Sequence, residues 1–221
     1  MSVRSRLLLA MLAAALMLAL TVGTATARRF NLSSTNFSMR WREFAVPTGT
    51  TEESREERIR YCPLTLSGSF HSRTITKAIE TLVGYVTSAT MGTCTGEGGR
   101  VTFLSTGLPW HLRYKEFAGF LPQITRFRLA LLGFGMSIEV PPLFGTVCLI
   151  RTTAMEPLRI DFTRETATGA ITTVGGTESL IDARDTTGFL CDGSVPPLAW
   201  RMGGNGTLDN GAGARVTVTL I

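Results

Sequence analysis

Lysine is nearly missing from this chain of 221 residues: Lys77 and Lys115 are the only two, while the other 20 basic residues are arginines. Histidine occurs only at positions 71 and 111. There is no GxSxG nucleophile elbow, no HExxH, no GxxxxGK followed by Ser or Thr, and no GxGxxG opening a helix. The usual sequence marks of hydrolase, zinc-protease and nucleotide chemistry are therefore absent. The four cysteines include no CxxC pair, so neither a zinc site nor a thioredoxin-type motif is indicated. The arginines are scattered through strand-like segments instead of clustered, which is unlike a nucleic-acid footprint. The bias toward arginine fits a GC-rich bacterial genome. No nucleic-acid partner, cofactor or metal is expected.

What is present begins with the leader. Arg4 and Arg6 form a positive n-region, Leu7–Val22 is an uncharged apolar run, and Ala25-Thr26-Ala27 offers the small residues a signal peptidase accommodates. A spanning helix needs roughly 20 apolar residues, and this run is shorter and ends at a cleavage-like site. The expected organisation is a signal peptide over 1–27 and a single exported domain over 28–221, secreted or held at the cell envelope. No transmembrane segment is expected after cleavage. No cysteine near the cut provides a lipid attachment point, and Arg28-Arg29 lie on the wrong side of the apolar run for a twin-arginine signal. Loss of Arg4 and Arg6 leaves 20 basic against 17 acidic residues, so the formal charge falls from +5 to +3.

In an exported chain, Cys62, Cys94, Cys148 and Cys191 read as two disulfides with three possible connectivities. The preferred pairing is Cys94 with Cys148 and Cys62 with Cys191.

Period-two alternation dominates after residue 30 and places apolar side chains on one face of a strand. It runs through Phe37, Met39 and Trp41; Cys62, Leu64, Leu66 and Phe70; Trp110, Leu112 and Tyr114. It continues through Phe127, Leu129 and Leu131; Leu158, Ile160 and Phe162; and Val216, Val218 and Leu220. Half-buried strands of this kind form antiparallel sheets with one wet face. Gly98-Gly99, Gly175-Gly176, Asp192-Gly193, Asn205-Gly206 and Asn210-Gly211 are read as turns between them. Gly133 and Gly135 mark a bend between two strands. The fold class expected is an all-β, antiparallel sandwich or barrel-like domain stapled by two disulfides. At most one short helix is expected, over Thr74–Ala89, where Ile75, Ile79, Leu82, Val83 and Val86 have helical spacing and Thr74 suits an N-cap.

Candidate chemistry is sparse. His71 and His111 fall opposite the apolar phase of their strands and should face solvent or a polar seam. His111 with Glu116 is the candidate catalytic pair, and His71 a candidate binding residue; two ordinary strand histidines are the simpler reading, because a metal site lacks its third ligand. Glycosidase chemistry needs two converging carboxylates, whereas Asp161, Glu139, Asp182 and Asp185 read as surface groups. Trp41 and Trp110 are in phase with apolar neighbours and read as core. Trp200 is the candidate aromatic platform for a ligand.

The segments CPLTLSGSFHSRTITK (Cys62–Lys77), LPWHLRYKEFAGFLPQIT (Leu108–Thr125) and the terminal RVTVTLI resemble stretches of uncharacterised exported proteins of GC-rich, Gram-positive-type bacteria. The resemblance implies a bacterial secreted β protein and transfers no catalytic residue. The function expected is that of a non-enzymatic extracellular or envelope-associated protein, binding or structural, whose partner is a cell-wall polymer or another extracellular protein. The alternative is a secreted hydrolase acting on glycans or esters.

Overall fold

The structure, a computed structural model, describes residues 29–47, 59–120, 123–139, 147–155, 157–176 and 203–221. The expected leader and its expected cleavage site lie outside these residues. Eight strands form the main body: β2 (Asn36–Pro47), β3 (Ile59–Phe70), β5 (Leu82–Met91), β8 (Trp110–Phe120), β9 (Gln123–Leu132), β12 (Leu158–Arg164), β13 (Ile171–Gly176) and β14 (Asn205–Asp209). Each pairs antiparallel with its neighbour in that order, and β14 pairs back onto β2 through Leu208 and Met39, closing the sheet. Of the two architectures expected, the molecule is the barrel, an up-and-down closure that leaves no sheet edge within the ring.

The alternation read from the sequence becomes the inner wall. Met39, Trp41, Leu64, Leu66, Trp110, Leu112, Leu129, Leu131, Ile160 and Phe162 are all buried, so the interior is filled by side chains. Trp41 and Trp110 are core residues, as their phase indicates; the Trp41 Nε1–H donates to the Val174 carbonyl at 3.0 Å. The outer wall carries Arg40, Arg42, Arg113, Arg126 and Arg159. This is the reverse of a membrane-spanning barrel, where an arginine facing lipid at mid-depth would cost about 2–4 kcal/mol. Among the described residues no helix is long and apolar enough to cross a membrane.

Two three-stranded antiparallel sheets close the two mouths. At one end β1 (Arg29–Leu32) lies between β4 (Thr74–Thr76) and β15 (Val218–Leu220), joining the first and last described strands. We call this the terminal end. Phe30 plugs it, with its ring 5.9 Å from Tyr114 and 5.6 Å from Phe127, which stacks on Phe162 at 4.8 Å. At the other end β10 (Gly135–Glu139) lies between β7 (Val101–Phe103) and β11 (Val147–Arg151). Here Phe134 packs 5.1 Å from Trp110, 5.4 Å from Phe103 and 6.4 Å from Phe44. The short β6 (Thr95–Gly96) also pairs with β3 at this end.

Three expectations are corrected. The helix over Thr74–Ala89 is not formed: β4 and most of β5 occupy it, and Ile79 is 71% exposed. The reason lies in the sheet. A side chain at Gly84 would come within 2.5 Å of the Ser69 carbonyl oxygen, so this glycine lets β3 and β5 approach. Asn205-Gly206 and Gly175-Gly176 are strand residues, not turns: across β13 and β14 Gly175 opposes Asn205 and Val174 opposes Gly206, while Gly176 opposes Ile160 of β12. Gly206 is required by close packing, since a Cβ there would lie 2.5 Å from the Arg40 oxygen. The preferred disulfide pairing is also overturned, because Cys62 bonds Cys94, with the Cα atoms 4.1 Å apart. The register explains it: Arg60 opposes Gly96 and Tyr61 opposes Thr95, so the next antiparallel pair is Cys62 and Cys94. Neither Cys94–Cys148 nor Cys62–Cys191 can then form. Cys148 lies in β11 opposite Ile138, and Cys191 is outside the described residues. Between β9 and β10, Gly133 adopts φ +83°, the bend expected there.

Candidate functional site

Two of the candidate residues meet on the outer wall. His71 follows the end of β3, Tyr85 lies on β5 and His111 on β8, where Tyr85 and His111 are register partners. The Tyr85 ring sits between the two imidazoles, 4.7 Å from His71 and 5.0 Å from His111, edge-on to both. Both histidines are exposed and Tyr85 is half-buried. The row therefore offers imidazole nitrogens and a phenol on three adjacent chain segments, suited to hydrogen bonding and ring packing against a partner. Among the described residues no three His, Cys, Asp or Glu side chains gather as a metal site. Tyr85 was not singled out from the sequence; its signal was its outward phase on a strand beside His111, which register alone reveals.

His111 and Glu116 are not brought together. They lie five positions apart along β8, roughly 15 Å at strand rise, with a bulge between Tyr114 and Glu116. Glu116 instead accepts from Arg128 Nη1 at 2.5 Å. Arg128 also donates Nε to Asp161 Oδ1 at 2.6 Å and Nη2 to Oδ2 at 3.0 Å, and Arg126 Nη1 reaches Oδ2 at 3.3 Å. Asp161, expected at the surface, is buried beneath these guanidinium groups. The hydrogen bond to Asp161 raises the Arg128 pKa above its ordinary value; burial opposes this, and the charges of Asp161 and Glu116 reinforce it. Two carboxylates thus converge on one permanent cation, an arrangement that ties β8, β9 and β12 together.

A second surface feature lies beside the disulfide. A groove of about 530 Å3 is lined by Arg60, Met91, Thr93, Cys94, Arg100 and Val101, among others. The Arg60 guanidinium is already committed, donating Nη1 to the Gly96 carbonyl at 2.7 Å, Nη2 to Gly98 at 2.7 Å and Nε to Gly99 at 3.2 Å. It acts as a clasp on the 96–99 turn. Inside the barrel, the Tyr114 hydroxyl and the Trp110 indole N–H have no hydrogen-bond partner among the described residues. Burial first, and the Glu116 charge second, push the Tyr114 phenol up to about 12. Trp200 lies outside the described residues.

The fold and these surfaces define a closed, side-chain-filled, antiparallel eight-stranded barrel with a polar outer wall. No family model matches the chain, and no curated protein or solved structure matches it either.

Proposed function

We propose that residues 28–221 act as an exported, non-enzymatic domain of the extracellular space or cell envelope that binds a cell-wall polymer or another extracellular protein through its outer wall. One observation carries the reading: the interior is filled by apolar side chains with both mouths covered, while His71, Tyr85 and His111 gather on the outside. A barrel that carries a ligand internally, or works on one, needs a cavity lined by a few polar groups. The leader-like first 27 residues, the disulfide and the likeness of three segments to exported bacterial proteins support the address. The hydrolase alternative rested on His111 converging with Glu116, and they stand apart.

The test is co-sedimentation of the exported protein with isolated cell-wall polymer, beside a Tyr85→Ala/His111→Ala variant. Retention of the wild type and at least tenfold weaker retention of the variant is expected. Protein that stays entirely in the supernatant would sink the wall-binding form, leaving capture of an extracellular protein partner through the same row as the form to test with the same variant.

A further inference from the structure

The terminal end of the barrel carries an unusual surface. Six large apolar side chains are exposed among the described residues, and four of them (Ile79, Phe117, Phe120 and Ile221) belong to segments at this end. The extreme case is Phe120, 90% exposed where β8 ends, with Phe117 three positions before it at 36%. Basic groups adjoin them. Lys77 Nζ lies 5.2 Å from the Phe117 ring centre and 5.5 Å from that of Phe30, a lysine stem laid along aromatic surface. It has no carboxylate partner among the described residues. Desolvation lowers its pKa. Arg29 pairs in register with Thr76, next to Lys77. A cut after Ala27 would add Arg28 and a new α-ammonium immediately before Arg29. Exposed phenylalanines flanked by cations, on an otherwise polar wall, match the composition of a lipid-surface contact and not that of a spanning one.

We propose that the terminal end of the barrel is a membrane-surface contact: Phe117 and Phe120 enter the interface of a bilayer bearing anionic headgroups, while Lys77 and Arg29 lie among the phosphates. The occupant is set by charge complementarity, since the apolar residues and their nearest uncompensated cations share one edge. It is set also by where the chain enters. Only six residues separate the apolar run ending at Val22 from Arg29, a span of at most about 25 Å when extended, so export through a membrane holds this end beside the bilayer until the leader is cut. This surface rests on the exported-domain reading and gives the envelope association a physical form.

Flotation of the processed protein with vesicles tests it. Equimolar phosphatidylglycerol and phosphatidylcholine vesicles should carry the protein upward, and phosphatidylcholine vesicles should do so at least tenfold less. Binding should weaken in 0.5 M salt at a Debye length of about 4 Å. Phe117→Ser/Phe120→Ser should lose tenfold or more of the binding. Phe120→Ser alone should lose part of it with an unchanged melting temperature, because that ring packs on little. Wild type left behind by both vesicle types, or a double variant that floats as well as wild type, overturns the proposal. Self-association that the variant abolishes without any vesicle binding assigns the patch to a second copy and also overturns it. N-terminal sequencing separates this from the export reading: protein that retains Met1 inside the cell but binds vesicles defeats export and leaves the surface standing.

Discussion

The two mouths of the barrel are closed by sheets of the same size and pairing, yet they are held by different means. At the stapled end, β7, β10 and β11 come from the connections between β5 and β8 and between β9 and β12, and Cys62–Cys94 ties the first of these connections to the wall. At the terminal end, β1 and β15 come from opposite extremes of the described chain, with Phe30 opposite Leu220. No disulfide among the described residues holds them; the anchor is Phe30 seated on Tyr114 and Phe127. The common device is arginine: Arg60 donates to carbonyls of the 96–99 turn, and Arg164 donates to the Val218 carbonyl at 2.7 Å and the Ile124 carbonyl at 3.2 Å. A cap that is local in sequence takes a covalent staple, whereas a cap assembled from distant strands relies on packing and closes only once the ring has formed.

The sharpest way to break this comparison is Phe30→Ala. Truncating a buried aromatic should cost about 3–5 kcal/mol in urea unfolding, and amide exchange should accelerate in β1 and β15 while β10 and β11 keep their protection. Equal loss of protection at both ends would mean that the caps form one cooperative unit. The reciprocal experiment removes the staple. Cys62→Ala/Cys94→Ala opens a loop whose ends are 32 residues apart, expected to cost about 3–4 kcal/mol on the chain-entropy argument, with the exchange pattern reversed. Peptide mapping without reduction should find Cys62 joined to Cys94, and the connectivity then left for the remaining pair is Cys148–Cys191.

Alkaline titration probes the terminal end alone. Tyr114, beneath Phe30, has its phenol pushed up to about 12, against about 10 in the unfolded chain. The unfolded state therefore releases this proton first. The stabilisation is complete below pH 10, declines as the pH rises from 10 to 12, and is lost above the folded value, on the order of 2–3 kcal/mol in all. Tyr114→Phe should flatten that decline. At pH 7 it should leave stability unchanged or raise it, because the hydroxyl it removes has no partner among the described residues.

How much of this was legible follows from which signals are local. The strands around Met39, Leu66, Leu112, Leu129 and Ile160 could be read directly, because an inner wall imposes period two on each strand separately. The segment 74–89 misled because Ile75, Ile79 and Val83 also satisfy a helical period. Tertiary packing decided against the helix, with β3 needing a strand that lacks a side chain at Gly84. Everything that depends on register was hidden. Cys62 meets Cys94, Tyr85 stands between two histidines, and Asp161 is buried under two arginines because of pairings between strands distant in sequence. Arg60 and Arg164 each spend their donors on backbone carbonyls. That use has no sequence mark, since any strand arginine can reach a carbonyl once the turn or strand is beside it.

The smallest expected effect is also the most discriminating. Arg60→Lys and Arg164→Lys each replace a planar fork by a point donor that cannot serve two or three carbonyls together, and each should cost about 1–2 kcal/mol. Their coupling to the staple should differ. Arg60 and Cys62 lie two residues apart on β3 and both hold the 94–99 segment, so without the disulfide the segment loses its second restraint. Arg60→Lys should then cost a different amount in the Cys62→Ala/Cys94→Ala background than in the wild type, with a coupling of about 0.5 kcal/mol or more. Arg164 acts at the opposite mouth and shares no partner with the disulfide, so its cost should be the same in both backgrounds within about 0.5 kcal/mol. Coupling between Arg164 and the staple would show that the filled interior transmits strain from one mouth to the other, and the two ends would then have to be treated as one device.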